Sequence, residues 1–117
     1  MLNFIRIFRT SAFNMLMIDF STGRIIDAND TALKFYGYTK TQLSDFEINR
    51  LLISSNKHHT NCSFKFEGDF KTKLSDDSTK NVLVCHVITE IFGNKVVVLI
   101  IQENQKKLNW PTLFSSN

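Results

Sequence analysis

The chain has 117 residues, 43% of them hydrophobic and 21% charged, which allows one globular core and not two. Its longest apolar run, Val96–Ile101, is far shorter than the roughly 20 residues of a membrane-crossing helix and suits a buried strand. The net charge is +3, but Lys and Arg are scattered and Lys106-Lys107 is their densest spot, so no basic stripe points to nucleic acid.

In chain order, "MLNFIRIFRT" opens a segment that sets Leu2, Ile5, Phe8 and Ala12 at helical spacing. This predicts an amphipathic helix within residues 1–13 that packs on its own sheet or joins a twofold partner. Arg6 and Arg9 break the continuous apolar stretch a secretory signal requires, and the expected compartment is cytoplasmic. "MLMIDF" and "RIIDA" read as strands joined by a tight turn at Gly23. A helix from about Asp30 to Tyr36 follows, with Gly37 placed for a left-handed cap. "TKTQLSDFEINRLL" carries Leu43, Phe46, Ile48, Leu51 and Leu52, a pattern that suits two short helical pieces. Residues 53–63 show little periodicity. "DFKTKLS", Val82–Thr89 and Lys95–Gln102 read as strands, separated by the polar run "SDDST" and by Gly93-Asn94. Pro111 stops any helix in the tail.

Strands at both ends of the chain with helices between them predict an α+β fold, an antiparallel sheet covered by helices. Residues 14–104 form the domain, and 105–117 a linker or tail. The run "VVVLII" requires both faces of the sheet centre to be shielded, one by the domain's own helices and the other by the N-terminal helix or a partner chain, so homodimerisation is expected through that helix and the sheet's outer face.

Little in the sequence suggests catalysis. Cys62 and Cys85 lie far apart without metal-ligand spacing, as reduced thiols do. No phosphate-cradling glycine loop is present. Cys62 with His58 or His59 is the one local nucleophile–base pair, and it lacks a third orienting group. A small thiol enzyme is therefore the remote alternative, and the expectation is that the chain is not an enzyme.

From roughly Ile5 to Glu103 the sequence resembles a PAS domain. The resemblance is strongest in "MLMIDFSTGRIIDANDTALKFYGYTKTQL": an aliphatic strand ending in Asp19, a Gly23 turn, a strand closing on Ala28-Asn29, a helix, and Gly37-Tyr38. "FKTKLSDDSTKNVLV" and "NKVVVLIIQE" resemble the later strands. The resemblance implies a five-stranded antiparallel sheet with short helices as a lid over one face, and Asn29 as a cap where the ladder ends. It also implies a sensory module that binds a small molecule, dimerises, or does both, and that regulates an output domain in the same chain or in a partner protein. A histidine kinase, a cyclic-dinucleotide enzyme or a transcription regulator would serve as that output.

Strand parity, carried over from the family, places Leu16, Ile18, Phe70, Thr72, Val82, Val84, His86, Val97, Leu99 and Ile101 toward the helices. Ala32, Phe35, Leu43, Ile48 and Leu51 are the lid residues. This wall is almost wholly apolar and suits either a filled core or an apolar ligand pocket. His86 is its polar exception, satisfied locally or by a ligand.

Two cofactors are weighed and set aside. "NCSFKF" at 61–66 resembles the photoreactive segment of the flavin-binding LOV branch, yet more than twenty residues separate Tyr38 from Asn61, where that branch keeps them close. Val82, Val84 and Ile101 would also leave flavin's polar edge unpaired, at about 1–3 kcal/mol per buried group. His58-His59, the haem candidates, sit in the polar run "SSNKHHTN", whereas haem ligation needs an apolar pocket and an orienting partner. No metal site is expected and the cofactor is left unassigned. Glu103-Asn104-Gln105 stands where many relatives carry Asp-Ile-Thr, so the connection to an output is not readable. The expected partners are a second copy of the chain and a possible small molecule, with no nucleic acid and no membrane insertion.

Overall fold

The computed structural model of the chain describes residues 2–54 and 67–103. It opens with helix α1 (Leu2–Thr10). The helix ends before Ala12, which lies exposed in the link to the first strand. It thus lies within the expected 1–13 segment, and beyond Thr10 the Phe8 carbonyl, which Ala12 N would bond in a longer helix, accepts from Asn29 Nδ2 at 2.9 Å.

Strands β1 (Asn14–Asp19) and β2 (Ile25–Ala28) form the first hairpin. Asp19 organises its turn, with Oδ2 accepting from both Thr22 N and Thr22 Oγ1 at 2.9 Å, while Gly23 takes φ +78°, a conformation that costs other residues about 1–2 kcal/mol. Helix α2 (Asp30–Tyr36) follows and ends at Gly37 (φ +82°), whose N–H donates to Leu33 O. The "TKTQLSDFEINRLL" segment does split in two, giving α3 (Lys40–Leu43) and α4 (Ile48–Leu51). Thr39 and Gln42 cap α3 reciprocally: Gln42 N donates to Thr39 Oγ1 (3.1 Å) and Thr39 N to Gln42 Oε1 (2.9 Å).

Then come β3 (Leu52–Ser54), β4 (Gly68–Lys73), β5 (Thr79–Ile91) and β6 (Asn94–Glu103). They complete one antiparallel sheet in the order β2-β1-β6-β5-β4-β3. The five strands of the sequence expectation are thus joined by a sixth. β3 is three residues long and pairs Leu52 with Thr72. So short a strand has no alternation to read, and only the partner strand defines it.

First and last strands lie side by side, with Leu16 opposite Leu99 and Asn14 opposite Ile101. The β5–β6 hairpin turns at Phe92 (φ +51°) and Gly93 (φ +82°), the pair of positive φ values a two-residue hairpin loop requires. The tail 105–117 lies outside the described residues.

Candidate functional site

The sheet has two apolar faces. On the inner face, Leu16 and Ile18 (β1), Val97, Leu99 and Ile101 (β6), Val82 and Val84 (β5) and Phe70 (β4) pack against Ala32 (α2), Leu43 (α3), and Ile48 and Leu51 (α4) in one buried cluster. Phe35 lies partly buried at its margin. The structure thus brings together the apolar positions that parity selected. It adds Ile25, Ala28, Tyr36, Leu52 and Leu74. Leu74 continues the alternation of Phe70 and Thr72 and was legible by the same rule. Leu52 was not, since it belongs to the three-residue strand.

Polar groups within this layer satisfy one another. Thr72 is fully buried, and its Oγ1 donates to Leu51 O at 2.9 Å. With that proton committed, the Tyr36 hydroxyl 2.8 Å away is the donor to Thr72 Oγ1. Burial pushes the Tyr36 phenol above its ordinary pKa, and the bond to Thr72 offsets part of that rise. The short relay Tyr36–Thr72–Leu51 therefore joins α2, β4 and α4 across the interior.

His86 departs from the rest. Its parity is inward, but it lies beyond Val84, where the pairing of β5 with β4 stops, opposite Leu99 and outside the buried cluster. Its Nδ1 sits 3.0 Å from Glu67 Oε2 without the alignment of a hydrogen bond, while its backbone N–H donates to the same oxygen at 3.2 Å. The described partner of His86 is thus a carboxylate of its own chain. His58, His59 and Cys62 lie outside the described residues. Among the described residues no group of three or more His, Cys, Asp or Glu side chains is placed to hold a metal.

The outer face is covered in part. Phe8 of α1 is buried against Met15 and Met17 (β1) and Val96 and Val98 (β6), with Phe4, Ile91 and Ile100 around it. Of the helix residues proposed for a partner, Phe8 is thus committed to its own sheet and Ile5 is half-buried. α1 meets β5 only near Ile91 and leaves its stretch from Leu83 to Val87 uncovered. Leu83 (42% exposed), Cys85 and Val87 (50%) point outward there, alternating with the buried Val82 and Val84. Ile7 on α1 is 58% exposed. The outer face was expected as a pairing surface, but these β5 residues were not singled out on it, although the same alternation places them.

The end of β2 ties the two faces together. Asn29 is 1% exposed and spends all of its side-chain capacity. Oδ1 accepts from Ala32 N (3.0 Å), capping α2, and from Met15 N (3.1 Å); Nδ2 donates to Phe8 O and Phe13 O, both at 2.9 Å. Its capping role agrees with the sequence reading, and its two donations to the α1–β1 link go beyond it. A surface cleft of about 360 Å³ lies elsewhere, lined by Arg24, Asp45, Glu47, Asn49 and Arg50. Arg24 Nη2 there donates to Ser44 O (3.1 Å) and Arg50 lies over the Phe46 ring (4.6 Å), so both cations are engaged locally.

In the inner layer the described apolar side chains pack on one another and the hydroxyls of Tyr36 and Thr72 pair internally. A family model described as PAS domain matches residues 3–69. The diguanylate cyclase DgcM of Escherichia coli (strain K12) is 38% identical over 114 residues, which cover 88% of this chain and 28% of that protein. The chain therefore spans little more than a quarter of that relative. Among solved structures, a PAS domain from a two-component sensor histidine kinase superposes with a TM-score of 0.71 at 11% identity, covering 88% of this chain and 97% of that one. The PAS domain of an HTR-like protein from Haloarcula marismortui gives 0.68 at 15% identity, over 88% and 90%. Matched by the family over more than half its length, and sharing the PAS fold across most of the rest, the chain belongs to the PAS domain family.

Proposed function

We propose that this PAS domain is a signalling module that pairs with a second copy of itself through the outer face of its sheet, and that the pairing regulates a cyclic-dinucleotide-forming output. The observation that carries this reading is the strip Leu83, Cys85 and Val87 beside α1, with Ile7 exposed on the helix. The outward side chains of β5 from Leu83 to Val87 carry no charge, so two copies would meet there without like-charge repulsion. A contiguous apolar strip next to a packed helix is the kind of surface that marks a protein interface. The inner layer supports the same reading: its apolar side chains pack on each other and its hydroxyls pair internally, leaving little for a ligand to satisfy.

The relative supports this choice of output. A diguanylate cyclase at 38% identity over this segment supports a cyclic-dinucleotide enzyme among the outputs a PAS module serves. A reaction that joins two guanylates is one that pairing of two copies would promote. Sedimentation equilibrium tests the association. The wild-type protein is expected to form a concentration-dependent dimer that Leu83→Asp weakens at least tenfold, because the exposed site tolerates the substitution in the monomer. A wild-type protein that stays monomeric at all concentrations, or a dimer indifferent to both Leu83→Asp and Ile7→Asp, would reject the surface.

A further inference from the structure

Three side chains at the end of β2 hold the α1–β1 link and the lid helices at once. Asn29 does so through the four bonds described above. Asp27, two residues earlier, takes Arg9 of α1 on Oδ2 (3.2 Å) and Lys40, the first residue of α3, on Oδ1 (3.1 Å). Thr31, in the first turn of α2, donates from Oγ1 to Ser11 O at 2.8 Å. α1 covers the outer face and α2 and α3 cover the inner one, so the sheet itself separates the elements these residues join.

We infer that this corner is a coupling device: the position of α1 on the outer face and the closure of the lid on the inner face are linked through Asn29, with Asp27 and Thr31 as auxiliaries. The physical basis is the cost of leaving a buried polar group unpaired. When α1 shifts outward, Phe8 O and the link carrying Phe13 O move with it, and the buried Asn29 amide loses its acceptors. The side chain then relaxes only by rotating, which takes Oδ1 off Ala32 N and uncaps α2. Coupling of this kind is a free energy shared between two sites and acts in both directions. Loosening the lid thus also loosens α1. The inference rests on the reading of α1 and the outer face as the signalling surface, and it supplies a route from there to the interior. Asn29 is a positioning residue on that route.

Amide hydrogen exchange tests it, at protein concentrations where the chain is monomeric, so that failure of the dimer reading and failure of this one are separable. Phe8→Leu trims the side chain that anchors α1 and keeps the Phe8 carbonyl to which Asn29 donates. Asn29→Asp keeps both acceptors and removes the two donations. In the otherwise wild-type protein, Phe8→Leu is expected to speed exchange in α2 (Leu33–Tyr36) by at least fivefold. In the Asn29→Asp background the same substitution is expected to speed it less than twofold. Equal acceleration in both backgrounds would mean that α1 acts only through global stability, and no acceleration in either would mean that the faces are independent. Each result overturns the inference. Where Asn29→Asp does not fold, Asn29→Ser, which keeps a side-chain oxygen to cap α2 and removes both amide donations, repeats the cycle with the same criterion.

Discussion

At the scale of single residues, the interior is held by a few polar groups whose partners are fully determined. Tyr36 is the clearest. Its hydroxyl lies among aliphatic side chains with Thr72 Oγ1 as its partner, and burial raises its pKa above the ordinary value of about 10. A group whose folded pKa is raised contributes stability that is intact below the unfolded pKa and is lost as pH climbs past it toward the folded one. The fold should therefore weaken above about pH 10 by about 1.4 kcal/mol per pH unit from this residue. Tyr36→Phe is expected to cost about 1 kcal/mol at neutral pH and to flatten that alkaline loss. Urea unfolding at a series of pH values measures both, and an unchanged alkaline slope would show that Tyr36 ionises freely in the folded chain.

At the scale of elements, alternation and turn chemistry made most of the fold legible. Leu16 and Ile18, Val82 and Val84, and Val97, Leu99 and Ile101 fall on one buried face because successive side chains in a strand point to opposite faces. Asn29 before α2 and Gly37 after it mark the helix by the chemistry of its ends. What escaped was local structure defined by something distant. β3 exists because β4 pairs with it. The helical stripe does not reach Ala12 because α1 ends at Thr10, where Asn29, twenty-one residues from Phe8, takes the Phe8 carbonyl. His86 has the parity of a pocket residue but lies beyond Val84, where the pairing of β5 with β4 stops, beside Glu67. The outer strip on β5 was equally periodic, and it was missed because a run apolar on both faces does not tell which face a helix will cover.

The β5–β6 hairpin shows one element at odds with its own sequence. Phe92 occupies a left-handed position, φ +51°, with its side chain 82% exposed. A phenylalanine gains nothing from either circumstance, whereas Asn before Gly suits a two-residue loop of this kind. Phe92→Asn is expected to stabilise the protein by about 0.5–1 kcal/mol through relief of the backbone. Thermal unfolding detects this as a higher midpoint, and a lower one would mean that the aromatic ring makes a stabilising contact.

At the scale of the whole molecule, the sheet order brings the first and last strands together at its centre, with Asn14 Nδ2 donating to Ile101 O at 3.0 Å. The start of β1, its α1 link and the end of β6 therefore share one end of the sheet, next to the Asn29 corner. A change at the outer face, at the lid or at the last strand thus meets the others within a few residues. The architecture suits a module that converts association at its surface into a change at its ends.

Native mass spectrometry of the purified protein tests this account most directly, because it reports association and bound mass together. The expected species is a dimer whose mass is twice that of the bare chain. A monomer carrying a stoichiometric small molecule would contradict it and would make the inner face, with Tyr36, Thr72 and the lid, the sensing site.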